Sequence, residues 1–281
     1  MSVSSTQKAR QAIGRQLRDL RRRADLTVTE LAHRCAWHHS KTSRIENART
    51  SPSTKDIRLW CQACDAPEEV EGLLSKVLAA ESMYTEWRHQ VRSGMAHLQG
   101  SSTSLFQRTK LFRVYSSILV PGFLQTQGYA SALLSAIADF REIPVNDGSA
   151  AGAARIERSR IMHEASRRFV LLVEESALRH QIGDSEAMAA QLGHLLTAGA
   201  LPTVSLGVIP HATQQRDQWP VETFHMYDDK IVSVELLSAR VRITQPAEVE
   251  LYLRAFERLR SMAVYGAEAR ALVVRAIAAL R

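Results

Sequence analysis

Residues 31–53 read LAHRCAWHHSKTSRIENARTSPS, and this stretch decides the fold of the first part of the chain. An apolar helical pattern begins at Leu31 and Ala32 and stops near Ala36. A second short helix is predicted from about residue 39 to residue 47, with Ile45 as its main inward anchor. Two helices joined by a short turn form a helix-turn-helix, an arrangement that places its second helix in the DNA major groove.

The segments on either side complete a five-helix domain. Before the stretch, apolar residues spaced by three and four predict a first helix over about residues 7–24. Thr27 and Glu30 have the spacing of a capping box, which begins the second helix. After the stretch, a fourth helix over about 54–64 and a closing helix beyond Pro67 are predicted. We therefore expect an all-α helix-turn-helix domain over residues 1–75.

The positive charge of the chain is concentrated around the same stretch. Residues 1–55 hold 12 Lys and Arg against 4 Asp and Glu, a net charge of +8. Since the whole chain of 281 residues carries +7, residues 56–281 sum to −1. A solvated basic face is the ordinary explanation of such an excess. Its coincidence with a helix-turn-helix pattern favours a nucleic-acid module followed by a module with another task.

The first turn of the motif's second helix is expected to face the groove, because such helices dock with their N-terminal residues on base edges. Arg44 is the strongest candidate for reading a base, since its planar fork can bond O6 and N7 of guanine together. The alternative is a surface arginine paired with a carboxylate. The predicted DNA contacts are Thr27, His38, His39, Ser40, Lys41, Ser43, Arg44, Arg49 and Thr50.

The stretch resembles the Xre/Cro-type repressors through Ser43-Arg44-Ile45-Glu46-Asn47 and the later Pro52-Ser53. By that resemblance His39, Ser40 and Arg44 occupy base-facing positions, and Glu46 and Asn47 form the structural end of the helix. The chain departs from the family at three positions. It has Ala36 where the family has glycine, His38 where a Ser or Thr caps the helix, and Thr42 where a Val or Ile is buried.

The remainder of the chain predicts a connector and a mixed domain. A long helix over about residues 68–95 and a loop at 100–104 are expected to fill a connecting segment, residues 76–104. Beyond it, short apolar strand patterns alternate with amphipathic helices, then a hairpin and two terminal helices. The expected fold class is α+β: the five-helix domain, followed over residues 105–281 by a mixed α/β domain with a small sheet and C-terminal helices.

This second part resembles the C-terminal domain of an actinobacterial (Streptomyces-like) group of Xre-type regulators, often called antitoxin-like. The features that carry the resemblance are Val120-Pro121-Gly122-Phe123-Leu124-Gln125-Thr126 with Tyr129-Ala130, the basic helix at Arg155 and Arg158, Glu174-Glu175-Ser176-Ala177-Leu178-Arg179, Gln191-Leu192 and Val208-Ile209-Pro210. The resemblance implies a small partner protein encoded nearby.

No pattern in the second part indicates an enzyme. A set of carboxylates and one imidazole could be considered for catalysis: Glu174, Glu175, His211, Asp228, Asp229 and Glu235. No nucleophile elbow, phosphate-binding glycine loop or HExxH accompanies them. Asp228-Asp229 is better explained as a hairpin turn, and the glutamates as the start of a helix. We therefore expect no catalytic residues and no cofactor.

Metal, membrane and export signals are also missing. The chain has Cys35, Cys61 and Cys64, and a structural zinc site needs about four ligands. We expect no metal site, and cysteines that behave as small apolar residues. No apolar run approaches the ~20 residues of a membrane span, and no signal peptide is evident, so a cytoplasmic protein without membrane contact is expected.

These observations lead to one main hypothesis and two alternatives. The main hypothesis is a sequence-specific, dimeric transcriptional regulator that binds double-stranded DNA. The first alternative is an antitoxin-like protein whose main role is to hold a small protein partner, with DNA binding for autoregulation. The second is a sensor in which a small-molecule effector shifts DNA binding. Six aromatic residues are candidates for a pocket or interface, although ordinary core is the alternative for each: Tyr115, Phe123, Tyr129, Trp219, Phe224 and Tyr227.

Overall fold

The computed structural model describes residues 5–87, 94–100, 103–144 and 146–280, with backbone alone for 5–8 and 78–86. It divides into two compact units, residues 1–85 and 86–281. The first unit therefore extends ten residues past the end of the predicted first domain. The expected fold class is confirmed, because helices alone make up the helix-turn-helix region and a mixed sheet follows it.

The first unit is built from five helices. They are α1 (Ser5–Arg23), α2 (Val28–Arg34), α3 (His39–Glu46), α4 (Thr54–Ala63) and α5 (Glu69–Met83). Their apolar stripes meet in one core around Leu17, Leu31, Ile45, Ile57 and Trp60, all at most 1% exposed. Burial of that size is worth about 1.5–3 kcal/mol per large apolar side chain, which holds the short α2 and α3 in place.

The predicted long helix over 68–95 is wrong. Helix α5 ends at Met83 and the chain becomes extended in strand β1 (Tyr84–Glu86). Trp87, directly after it, donates from its backbone N to the oxygen of Ser238 (3.2 Å) and from Nε1 to that of Leu236 (2.8 Å). These contacts are distant in sequence, so helical spacing alone did not reveal them. Residues 88–93 of the prediction lie outside the described residues.

The predicted loop at 100–104 is wrong where it is described. Gly100 ends helix α6 (Met95–Gly100), and residues 103 and 104 begin helix α7 (Thr103–Arg108). Residues 101 and 102 lie outside the described part of the chain. Leu98, Leu105 and Phe106 are buried, so tertiary packing stabilises two short helices that the serine-rich composition did not indicate.

The second unit is organised around a mixed sheet. Its strands are β2 (Leu111–Ser116), β3 (Arg168–Glu174), β4 (Val204–Ile209), β5 (Phe224–Tyr227), β6 (Ile231–Glu235) and β7 (Ala239–Ile243), in the order β7-β6-β5-β2-β3-β4. The pairs β2–β3 and β3–β4 are parallel, whereas β2–β5, β5–β6 and β6–β7 are antiparallel. Sequence patterns predicted β2 to β6 and missed β7.

Helices cover both faces of this sheet. They are α8 (Gln127–Phe140), α9 (Gly148–Ser159), α10 (Ser185–Ala198), α11 (Pro246–Ser261) and α12 (Gly266–Ala278). In β3, Phe169, Leu171 and Val173 enter the core formed with α8, α10 and α12, while Leu172 enters the core formed with α11. This alternation is the period of two that a strand imposes on its side chains.

None of the described helices is both long enough and apolar enough to cross a membrane.

Candidate nucleic-acid interface

The turn between α2 and α3 has the backbone that a glycine normally provides. Ala36 has a φ of 54°, in the left-handed region that costs an L-residue about 1–2 kcal/mol. The turn is nevertheless closed by two backbone hydrogen bonds, from Ala36 N to His33 O (3.1 Å) and from Trp37 N to Ala32 O (3.0 Å). The departure from glycine therefore leaves the turn geometry intact.

His38 caps the recognition helix α3 in place of the usual hydroxyl residue. Its Nδ1 accepts a hydrogen bond from the backbone N of Ser40 at 3.3 Å and lies 2.9 Å from the Ser40 hydroxyl. A side-chain acceptor at this position satisfies one of the unpaired N–H groups at the start of a helix. The rings of His38 and His39 lie 4.1 Å apart, so the cap also orders the first turn of α3.

Thr42 is buried, and its hydroxyl has a partner that the sequence did not reveal. The indole Nε1 of Trp37 donates to Thr42 Oγ1 at 2.9 Å, and the Trp37 ring lies 6.1 Å from that of Trp60. A buried hydroxyl without a partner would cost about 1–3 kcal/mol. The bond from Trp37, in the turn, therefore offsets the cost of burying the Thr42 hydroxyl on the inward side of α3.

The C-terminal end of α3 is held on α1 by a buried ionic cluster. Arg21 makes a forked contact with Glu46, from Nε to Oε1 (2.6 Å) and from Nη2 to Oε2 (3.0 Å), and donates from Nη1 to Leu26 O (2.7 Å). Arg18 adds a bond from Nε to Glu46 Oε2 (3.1 Å). The bond to Glu46 raises the pKa of Arg21.

The cluster shows what Arg21 and Glu46 do in the first unit. Arg21 belongs to the arginine-rich helix α1, yet it is buried because Glu46 reaches it from α3. Glu46 was expected at the structural end of α3, and its contacts are of that kind. Gly14 permits the close approach of α1 and α3, because a Cβ there would lie 2.7 Å from the backbone oxygen of Glu46.

The opposite side of α3 is exposed and basic. Arg44 and Arg49 are exposed, and the side chain of neither makes a hydrogen bond or ion pair with another described residue. The paired-arginine alternative for Arg44 is therefore not seen in the part of the chain that the structure describes. The other predicted contacts that are exposed are Thr27, His38, His39, Ser43 and Thr50, while Ser40 and Lys41 are half-buried.

Lys41 and Thr27 have partners within the unit. Lys41 Nζ lies 2.6 Å from Asp56 Oδ1 and 4.6 Å from the centre of the Trp37 ring. Thr27 forms the predicted capping box, since its Oγ1 accepts from Glu30 N (3.2 Å) while its N donates to Glu30 Oε2 (2.7 Å). For both residues DNA contact remains a prediction, and for Lys41 it would compete with Asp56.

The three cysteines lie in the core of the first unit. Cys35, Cys61 and Cys64 are buried, and burial raises the pKa of each thiol to about 11. A metal ligand or nucleophile must be a thiolate, which this environment disfavours. Among the described residues no group of three or more His, Cys, Asp or Glu side chains is arranged to hold a metal ion.

The carboxylates of the second unit are held by structural partners. Glu174 accepts from Arg216 Nη2 (2.6 Å) and from the hydroxyl of Tyr115 (2.9 Å). Glu175 accepts from the backbone N of His211 (2.9 Å) and pairs with Arg179 (2.9 Å). Asp228, with a φ of 51°, forms the turn of the predicted hairpin and accepts from Leu111 N (3.0 Å). That the chain is not an enzyme remains a prediction.

Two family models match the chain. One is described as a helix-turn-helix domain and matches residues 12–73, which include α2, the turn and α3. The other is described as a domain of unknown function (DUF5753) and matches residues 104–275. A search of curated proteins gave no match. The first match, together with the exposed basic side of α3, supports a DNA-binding regulator whose partner is DNA.

Proposed function

The chain belongs to the DUF5753 family, and we propose that it is a sequence-specific transcriptional regulator that reads duplex DNA through α3. One observation carries the proposal. The inward side of α3 is anchored by Ile45 and Glu46, while Arg44 on α3 and Arg49 in the loop after it are exposed with no described partner. Unpaired guanidinium groups on and beside a rigid helix are suited to guanine edges and phosphates.

The two arginines have different proposed tasks. Arg44 lies within α3, where a side chain of a docked helix reaches base edges, and we assign it to reading a base. Arg49 follows the helix in the loop, and we assign it to a backbone phosphate. Phosphate contacts add affinity to every sequence, whereas base contacts distinguish sequences.

We further propose an Xre/Cro-type first unit that acts as a homodimer. The order of five helices and the retained turn at Ala36 support the subtype. A dimer would place two copies of α3 in successive major grooves, on half-sites about one helical turn apart, roughly 10 bp. Sedimentation of the free protein and of the complex measures this directly. Two chains per duplex support the dimer, and one chain per duplex contradicts it.

The test of DNA binding starts from duplexes selected out of a random pool, with affinity followed by fluorescence polarisation at several salt concentrations. Arg44→Ala is expected to cost ~1–3 kcal/mol on the preferred duplex and to relax the preference at one base pair. Arg49→Ala is expected to weaken all duplexes alike and to lower the salt slope by about one.

The matched control removes an arginine from the second unit. Arg270 is exposed on α12, so Arg270→Ala changes the net charge by the same amount without touching α3. We expect it to bind DNA as the unmodified chain does. The proposal fails if no duplex binds at low salt, or if Arg270→Ala weakens binding as much as Arg44→Ala does.

The second candidate is the antitoxin-like role, in which the second unit holds a small protein. It is favoured by a groove beside α11 whose border includes the exposed apolar side chains of Trp219 (69% exposed) and Leu251 (54% exposed), with Tyr252 beside them. Exposed apolar side chains around a groove are typical of protein interfaces. Co-expression with the small protein encoded next to the gene tests this role. A complex that Trp219→Ala weakens supports it, and separate elution of the two proteins contradicts it.

A further inference from the structure

The second unit contains a cleft with an unusual excess of positive charge. Its floor is the face of β5, β6 and β7 that carries His225, Ser233 and Glu235, and its walls come from α6 to α9. Five arginines line it: Arg141, Arg155, Arg158, Arg240 and Arg242. Glu235 is the one carboxylate among the lining residues that the structure describes, so four positive charges are left without a counter-charge from that part of the chain.

Arg155 is held in place by neutral groups. Its Nε donates to Gln99 Oε1 (3.2 Å) and its Nη1 to Gln125 Oε1 (2.7 Å). Both glutamines are buried, and Gln125 is itself fixed by a bond from its Nε2 to Val120 O (2.7 Å). The guanidinium is thereby oriented without being neutralised. Such an arrangement is pre-organised for an external anion.

Arg158 is less satisfied still. Its Nη1 donates to the backbone oxygen of Gln99 (3.2 Å), and its guanidinium lies 5.1 Å from the centre of the Phe106 ring. Its Nε is buried and has no hydrogen-bond partner among the described residues. A buried donor without a partner destabilises the folded protein, and more so when the group is charged. The missing partner is an acceptor, as an anion would supply.

The remaining titratable groups do not offset this charge. Burial, and after it the charge of Arg155, lowers the pKa of Arg158 to about 10, which leaves it charged at pH 7. Burial would raise the pKa of Glu235, but the charges of Arg240 and Arg155 lower it, so it is ionised and pairs with Arg240 at 3.0 Å. Burial also lowers the pKa of His225 to about 4, so it is neutral.

We propose that this cleft binds a small anion of phosphate type, with Arg155, Arg158 and Arg242 around the charged group. Four uncompensated charges call for an anion of high charge density, and the planar guanidinium fork matches phosphate oxygens. Apolar side chains such as Leu98 and Phe123 line the same cleft, so the charged group is expected to be part of a small organic ligand. The site names the effector class for a regulatory role of the second unit, and so it rests on the regulator proposed above.

The test is calorimetric titration of the full chain with inorganic pyrophosphate, in phosphate-free buffer at low salt and without DNA. We expect saturable binding of one pyrophosphate per chain, and at least a tenfold loss of affinity in Arg155→Gln and in Arg158→Gln. Because no DNA is present, this result is independent of the proposed DNA binding.

The matched control is Arg160→Gln. Arg160 follows α9, is exposed and pairs with Glu157, so its loss lowers the net charge equally outside the cleft. It is expected to bind pyrophosphate as the unmodified chain does. Circular dichroism checks that each variant folds, and Arg242→Gln replaces any variant that does not, since the Arg242 side chain makes no hydrogen bond within the described residues. The proposal is overturned by absence of binding, by an equal loss in Arg160→Gln, or by citrate binding as tightly as pyrophosphate.

Discussion

Arg21 and Arg158 are both arginines placed against a protein interior, and they differ in what faces them. Arg21 meets the carboxylate of Glu46 through a forked pair of bonds and donates from its third nitrogen to Leu26 O. Arg158 meets a backbone oxygen and an aromatic ring, and one of its nitrogens has no described partner. Arg21 links α1 to α3 through a neutralised ion pair, whereas the charge of Arg158 is not neutralised by a described carboxylate.

Burial and the chemistry of the partner together distinguish arginines that stabilise the fold from arginines that can bind a ligand. Removing a guanidinium from water costs several kcal/mol, which a carboxylate in good geometry offsets and an amide does not. Within the second unit the same contrast recurs, since Arg216 is paired with Glu174 while Arg155 is held by two glutamines. Partner chemistry, and not burial alone, therefore points to the cleft.

The largest expected effect on stability comes from replacing the carboxylate partner of Arg21 by an amide, the kind of partner that Arg155 has. Glu46→Gln should lower the free energy of unfolding of the first unit by about 3–5 kcal/mol, because it leaves a buried cation without its counter-charge. Urea denaturation, monitored through hydrogen exchange of the amides in α1 and α3, measures this loss of unfolding free energy. Glu71→Gln, on the exposed side of α5, is the control and should stay close to the unmodified chain. A loss of less than about 1 kcal/mol in Glu46→Gln, the range of an exposed ion pair, would contradict the structural assignment.

A smaller effect is expected from pH, through His225. Its folded pKa of about 4 lies below the unfolded value near 6.5, so the folded state binds fewer protons between these values. The free energy of unfolding should therefore fall as pH falls from about 6.5 to 4, on the order of 1–2 kcal/mol after allowance for partial exposure.

The variant His225→Gln should flatten that part of the pH profile. His225 faces Glu235, Arg240, Arg158 and Arg155, and the arginines disfavour its protonated form. The control His97→Gln, at an exposed position of α6, should keep the slope. Urea midpoints across the pH range from His225's folded pKa to neutrality provide the measurement. Equal slopes for His225→Gln and the unmodified chain would mean that the cleft does not repel a further positive charge.

The smallest effect is expected when Arg158 is removed. Arg158→Met should change the free energy of unfolding by less than about 1 kcal/mol or raise it, because an incompletely paired cation is replaced by an apolar side chain of similar length. Arg21→Met, which abandons the buried Glu46, should lose about 3–5 kcal/mol. Urea denaturation measures both variants. Similar losses of unfolding free energy in Arg158→Met and Arg21→Met would contradict the proposed difference between the two arginines.

Much of the first unit was predictable because its signals are local. The capping box at Thr27, the apolar spacing of α1 and the turn at Ala36 depend on residues within one or two helical turns. The exposed basic side of α3 was also predicted from this local sequence pattern. The burial of Arg21 was not predictable in this way, since it depends on how close α1 and α3 come in space.

In the second unit, too, local signals predicted some elements and tertiary contacts decided others. Strands β2 to β6 and helices α8 to α12 were predicted from short apolar runs and helical spacing. Strand β7, helices α6 and α7 and the end of α5 were missed, because contacts between distant segments outweigh their local preferences. The arginines of the cleft come from the end of α8, from α9 and from β7, so only the packing of these elements brings them together.

The amino-acid sequence by itself determined the helix-turn-helix, the position of its basic charge and the α+β class of the whole chain, because periodicity, caps and net charge are properties of neighbouring residues. Only the tertiary structure decided which charges are neutralised. Arg21 and Arg158 look alike in the sequence, each on a basic helix, and one acquires Glu46 while the other acquires Phe106 and a glutamine backbone. The partner of a long side chain is set by packing between elements, and that packing gives one arginine a structural role and leaves the other open to a ligand.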